Sequence, residues 1–133
     1  MADPLQVEVV SADEVVWSGQ STMIVAKTVE GDIGILPGHA PVLAVLAPGG
    51  VEIVTTAGTR EVVAVDGGFL SVAQGRVSVL SEYARMADEI SLDQAERELA
   101  DAQARLDAGE DNDEVRQHLM RASAQVRAAS KVR

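Results

Sequence analysis

The sequence predicts a mainly β fold finished by α-helix: an antiparallel β-sandwich or barrel over residues 1–88, then an antiparallel two-helix hairpin over 89–133. Three observations predict it. Apolar residues recur with period two through the first two thirds of the chain. Turn-forming residues interrupt that pattern every few positions. From Ser91 onward the period becomes that of a helix.

In chain order, Leu5, Val7 and Val9 alternate with Gln6 and Glu8, which describes a strand with one buried face. Residues 15–17 and 22–28 read as two further strands. Residues 31–41, GDIGILPGHAP, form a stiff loop, because glycine permits unusual backbone angles while proline fixes φ. From the residues alone it serves equally well as a sheet corner or as a contact surface. The longest apolar run, residues 42–47, is far shorter than the roughly 20 residues that span a bilayer as a helix. Residues 51–56 and 61–65 flank Ala57-Gly58-Thr59, and residues 69–72 and 77–80 flank residues 73–76, so both pairs read as hairpins. Asp66-Gly67-Gly68 is a further turn, suited to positive φ.

Leu92, Ala95, Leu99, Ala102 and Leu106 then recur at steps of three and four, one face of a first helix. Ser91 and Gln94 form a capping box at its start and Gly109 stops it. Asp111-Asn112-Asp113 caps a second helix carrying Val115, Leu119, Ala122, Val126 and Ala129. The short connection sets the two helices antiparallel. They differ in charge: residues 91–114 hold nine acids against Arg97 and Arg105, whereas residues 115–133 hold Arg116, Arg121, Arg127, Lys131 and Arg133 and no acid. One reading is mutual support within the hairpin, worth tenths of a kcal/mol per exposed pair. A sharper one is that so alanine-rich a seam buries little area, leaving the basic helix free to exchange its contacts for another acidic surface.

Composition excludes several classes of function. A net charge of −10 argues against nucleic-acid binding, since no basic face precedes residue 115. With no cysteine there are neither disulfides nor thiolate metal sites. An N-terminal export signal is not expected, and contact with a membrane comes only through a partner. His39 and His118 lie in different halves, and neither sits in a metal-ligand spacing. Residues 31–38 do not have the glycine spacing of a dinucleotide or phosphate loop, and no serine has a nucleophile context. No catalytic residue, metal or cofactor is expected. A biotinyl- or lipoyl-type carrier domain would need an exposed lysine at a hairpin tip, whereas Lys27, the one lysine of the sheet half, lies inside a strand pattern.

The run Glu30-Gly31-Asp32-Ile33-Gly34-Ile35-Leu36-Pro37-Gly38-His39-Ala40-Pro41 closely resembles the signature of the epsilon subunit of bacterial F-type ATP synthases, called delta in mitochondria. Val9-Val10-Ser11-Ala12-Asp13, then Val16-Trp17-Ser18-Gly19, the Gly67-Gly68-Phe69-Leu70 turn and the strand at 77–80 follow in that family's order. The resemblance spans essentially the whole chain.

It implies a ten-stranded β-sandwich followed by a helical hairpin, in a non-catalytic rotor subunit of the central stalk. The sandwich would grip the gamma subunit and rest on the ring of membrane c subunits, with Glu30 and Asp32, and His39 near them, facing the ring's polar loops. The hairpin would be regulatory. Contracted, it lies on the sandwich; extended, its basic helix, with Arg116, Arg121, Arg127, Lys131 and Arg133, meets acidic segments of the catalytic alpha and beta subunits and blocks ATP hydrolysis. The subunit would sit peripherally at the cytoplasmic face of the bacterial membrane. Some members also bind ATP through an Ile/Leu-Asp-x-x-Arg-Ala motif and an Arg-Ala-x-x-Arg pattern. Here these read Ile90-Ser91-Leu92-Asp93-Gln94-Ala95 and Arg121-Ala122-Ser123-Ala124-Gln125. Ser91, Gln94, Ala95 and Arg121 stand at the nucleotide positions, and the lost charges predict weak or absent ATP binding. A free-standing nucleotide sensor is the alternative.

Overall fold

One long strand organises the molecule. The computed structural model describes residues 3–12 and 14–132, and within them residues 15–17 and 22–28 belong to a single strand. The elements are β1 (Leu5–Val10), β2 (Val15–Thr28), β3 (Gly31–Ile35), β4 (Val42–Leu46), β5 (Gly49–Thr55), β6 (Arg60–Val65), β7 (Gly68–Ala73), β8 (Arg76–Leu80), β9 (Ala84–Met86), a 3-10 turn (Ala87–Glu89), α1 (Leu92–Asp107) and α2 (Asp113–Lys131). There are nine strands among the described residues against the ten the resemblance implies, and Ser18-Gly19-Gln20 stays extended and paired to β1, so 15–17 and 22–28 are one strand.

β2 runs through both layers of the sandwich. Its first half pairs with β1, and its second half carries the edge strand β3 on one side and β5 on the other. The hydrogen-bonded order β1-β8-β7-β4-β2-β5-β6-β9 then wraps around the core. The two expected hairpins form as β5–β6 and β7–β8. Asp66-Gly67-Gly68 instead carries the chain from β6 to β7, which do not pair, so it is a corner between layers. Gly68 has φ of 106° there, and a Cβ would run into the Leu80 carbonyl oxygen. The sandwich is not wholly antiparallel: β1 pairs in parallel with β8 on one side and antiparallel with β2 on the other.

The core takes the inward residue of each alternation: Leu5, Val7 and Val9 from β1, Ile24 and Ala26 from β2, Ile53 from β5, and Leu70, Val72, Val77 and Val79 from the β7–β8 hairpin. Ser21, fully buried, marks a bulge where β2 slips against β5. Its hydroxyl accepts from the Met23 amide at 3.1 Å and lies 2.8 Å from both the Met23 and Val54 carbonyls, so the irregular backbone is not left unpaired.

β6 breaks the alternation. Val62, Val63, Ala64 and Val65 are all buried, because Val63 and Val65 enter the sandwich core while Val62 and Ala64 meet Ala128 and Ala129 of α2. α2 lies across β5 and β6, and α1 packs mainly on α2. Leu92, Leu99 and Leu106 of α1 are only half-buried.

The helix ends follow the sequence. Ser91 caps α1 by accepting from the Gln94 amide at 3.3 Å, although the reciprocal half of the expected box is missing because the Gln94 side chain turns to Glu98. Gly109, at φ 96°, closes α1, with the Gly109 amide on the Leu106 carbonyl and the Glu110 amide on that of Arg105. Asn112 Oδ1 accepts from the Val115 amide at 2.9 Å and starts α2.

Candidate functional site

Two outer faces of the sandwich are apolar, and only one is covered. On the bare face a single cross-strand row runs Val45, Phe69, Leu80, Val10 and Val15 through β4, β7, β8, β1 and β2. Val15, Val45, Phe69 and Leu80 are each 47% to 54% exposed, and Leu43, two residues from Val45 on the same side, is 71% exposed. Val10, Phe69 and Leu80 also share a shallow hollow of about 360 Å³ with the Gly68 backbone. Isolated apolar side chains on a surface are ordinary, whereas a contiguous apolar row across five strands is the pattern typical of interaction surfaces.

The acidic tip lies along the free edge of β3. Glu30 sits in the β2–β3 turn, whose shape is held by Thr28: its Oγ1 donates to the Gly31 carbonyl at 2.6 Å and accepts from the Glu30 amide at 3.1 Å. Asp32 lies within β3, opposite Lys27. His39 lies past the other end of that strand, in the turn closed by its own amide on the Leu36 carbonyl, with Nδ1 2.7 Å from the Ala40 carbonyl oxygen. The structure therefore sets Glu30, Asp32 and His39 along one edge, with the roughly 13 Å length of β3 between the ends, rather than in one cluster. Of the GDIGILPGHAP stretch, the first five residues are strand; only 36–41 are loop.

The covered face holds α2 by small residues and by charge. Gly50 lets the helix close in: a Cβ there would meet Val62 Cγ1 at 3.0 Å and the Ala128 Cα at 3.1 Å. At one end Arg121 donates to Asp66 at 3.0 Å, Ser81 donates to the other oxygen of that nearly buried carboxylate, and the guanidinium stacks 5.7 Å from the Tyr83 ring centre. Gln125 Nε2 donates to the Tyr83 hydroxyl at 2.8 Å. At the other end Lys131 is 3.0 Å from Glu52, which Arg60 also holds, and Arg60 donates to the Lys131 carbonyl. Arg127 donates to the Pro48 carbonyl at 2.8 Å. Burial alone would raise the Glu52 carboxyl, but the hydrogen bonds and charges of Arg60 and Lys131 outweigh it and hold it below the ordinary glutamate range.

The basic helix is thus compensated, though not by α1. Among the described residues no ion pair joins the two helices: Arg116 pairs with Asp111 of their connection, and Arg121 and Lys131 pair with the sandwich. Arg133 lies outside the described residues. The nucleotide positions do not converge either. Ser91 and Gln94 bond within α1, Ala95 is buried with Ala128 and Ala129, and Arg121 is engaged by Asp66 and Tyr83. Among the described residues no group of three or more His, Asp or Glu could hold a metal ion. Among the described residues no helix is long and apolar enough to cross a membrane.

Sequence reading missed Glu52, Gly50 and Asp66, and the signal that was present concerned only the covering of β6. Val62-Val63-Ala64-Val65 does not alternate, which is how a strand covered on both faces reads.

The profile described as "ATP synthase, Delta/Epsilon chain, beta-sandwich domain" matches residues 4–87. The chain is 55% identical over 96 residues to the ATP synthase epsilon chain of Cutibacterium acnes, covering 71% of this chain and 66% of that one. It is 53% identical over 108 residues to that of Streptomyces avermitilis, covering 81% and 87%. In fold it is similar to a chain in the Euglena gracilis mitochondrial ATP synthase assembly of OSCP, F1 and c-ring, with a TM-score of 0.76 at 24% identity, covering 97% of this chain and 80% of that chain. The sandwich, the hairpin docked on it and these relatives agree: the chain belongs to the delta/epsilon-chain family of ATP synthase, as an accessory and not a catalytic subunit.

Proposed function

We propose that the chain is a rotor subunit of the central stalk, with residues 1–88 as its gripping body and 89–133 as its regulatory arm. The observation that carries this is the bare row Val45, Phe69, Leu80, Val10 and Val15, a ready seat for an elongated apolar surface such as the gamma shaft. A body that transmits torque must not yield under load. The sandwich suits that, with a valine- and isoleucine-rich core and a β2–β3 turn pinned by Thr28.

The β3 edge, with Glu30 and Asp32 at one end and His39 at the other, faces the polar loops of the c ring, where its charges set register more than affinity. Contact with the membrane is through that ring, and the subunit sits peripherally at the cytoplasmic face. α2 inhibits ATP hydrolysis when it leaves the sandwich, its cations exchanging Asp66 and Glu52 for acidic segments of the alpha and beta subunits. In both sandwich pairs the cation is partly exposed, so exchanging its carboxylate for another partner of like charge costs little net energy.

Deleting residues 91–133 and assaying ATP hydrolysis by the assembled enzyme tests the regulatory half. Higher hydrolysis with assembly intact is expected; unchanged hydrolysis overturns the inhibitory reading and leaves the grip untouched.

A further inference from the structure

We propose that Asp66-Gly67 is a self-modification site, shielded while Arg121 of α2 holds it and converted to isoaspartate when α2 lifts. It is the only aspartyl- or asparaginyl-glycine pair in the chain. A glycine in second place leaves its amide unhindered, so the nitrogen can reach the carboxyl of the residue before it.

The nucleophile is free. Gly67 lies between the ladders of β6 and β7, and among the described residues its amide donates to no acceptor. The electrophile is held. Ser81 donates to one oxygen of Asp66 at 3.0 Å and Arg121 Nε to the other at 3.0 Å, on a carboxylate whose side chain is only 8% exposed. Ring closure requires that carboxyl to turn onto the Gly67 nitrogen and to give up an oxygen, and both oxygens are in use. Ser81 belongs to the sandwich and stays; Arg121 leaves with α2. Local opening of the helix therefore removes one of the two clasps and admits water to the corner.

The step needs no partner but water. The Gly67 nitrogen bonds to Asp66 Cγ, and the amide proton leaves with the carboxyl's hydroxyl as water, giving a cyclic imide. Water then opens the ring at either carbonyl: attack at Cγ restores aspartate, and attack at the main-chain carbon leaves isoaspartate. The product routes the backbone through the side-chain carbon, so the corner grows by a methylene and the carboxylate arm shortens by one. The next residue cannot absorb that change, since even a Cβ on Gly68 would meet the Leu80 carbonyl oxygen. The carboxylate is moved off Arg121, and the modified chain loses that clasp permanently. Its consequence for inhibition rests on the regulatory reading above; the chemistry does not.

The test is to age the full chain and its Arg121→Ala variant at neutral pH and physiological temperature, then digest each and quantify isoaspartate at residue 66 by mass spectrometry. The variant should form it about five- to tenfold faster, the change in open population expected from freeing one hydrogen-bonded charge. Asp93, Asp101 and Asp107 in the same digests should not change. Gly50→Val, which lifts α2 without touching Asp66, should quicken the reaction too, whereas Asp66→Glu should form no such product. No isoaspartate at residue 66 in either Arg121→Ala or Gly50→Val overturns the site, and so does an equal rate in the unaltered chain. Quickening at every aspartate alike would trace the effect to unfolding and overturn it as well. Acceleration in Arg121→Ala but not in Gly50→Val would overturn the tie to docking. The isomerised chain, separated by chromatography, should exchange its α2 amides faster than the unmodified one; equal exchange would overturn the loss of the clasp.

Discussion

β4 and β6 carry the same sequence signature and meet opposite fates. Each is an apolar run without alternation, Val42 to Leu46 in one and Val62 to Val65 in the other. Over β6 the outer side chains are buried, because α2 lies on them. Over β4 the outer side chains Leu43 and Val45 stay exposed, in line with Phe69 and Leu80. A strand that is apolar on both faces is built to be covered on both. The chain covers one of these faces itself and leaves the other bare. The two faces also differ in kind. The covered one is closed by alanine and glycine with ion pairs at its ends, so it buries little area; the bare one presents large side chains that would bury much on contact.

The strongest way to break this contrast is on the bare face. Phe69→Glu sets a charge within the row at its one aromatic side chain, and association with the gamma shaft should weaken by two orders of magnitude or more, the scale of an aromatic anchor, about 3 kcal/mol. Pull-down or surface plasmon resonance reads the loss. The melting temperature should hardly move, because Phe69 is half exposed and outside the core. Full shaft affinity in this variant would mean that the row is not the seat.

On the covered face, Gly50→Val should lift α2 rather than unfold the sandwich. Its added carbons overlap the Ala128 backbone and Val62, at a cost of about 1 to 3 kcal/mol. Amide exchange in α2 should speed up while β1, β7 and β8 keep their protection. Exchange that rises everywhere would show that the hairpin and sandwich open as one unit. Asp66→Ala is the milder version. It strips Arg121 and Ser81 of their acceptor, and because Arg121 is partly exposed the loss should be about 1 to 2 kcal/mol, read as the same exchange at the first half of α2 only.

What the sequence reveals and what it conceals divides along range. Strands, turns and helix caps are local, so Ser91, Gly109 and Asn112 could be read where they stand. The division of 15–17 from 22–28 failed because a glycine in a strand looks like a break until the pairing partner β1 is known. The latch was illegible for a different reason. Charge pattern set the acidic α1 against the basic α2, but the carboxylates that hold α2 are Asp66 and Glu52, 55 and 79 residues away from Arg121 and Lys131. Only the fold brings them together. Glu30, Asp32 and His39 were adjacent as letters, and the strand between them pulled them apart.

The smallest expected effect concerns pH and separates the two ends of the latch. Arg60 and Lys131 depress the Glu52 carboxyl, so its ionised form favours the docked state. That contribution is fully present above the unfolded glutamate value of about 4.3 and is lost as pH falls through the lower folded value. Acidification from neutral pH should therefore free the last turns of α2 before the sandwich melts, by less than about 1 kcal/mol for partly exposed partners. Glu52→Gln should already show that loosening at neutral pH and change less on acidification. Asp111, likewise depressed by Arg116, belongs to the helix connection and is present in both proteins, so it cancels from the difference. Amide exchange along α2 between neutral pH and about pH 3.5 measures it. Equal acid response in the two proteins would leave Glu52 a bystander to docking.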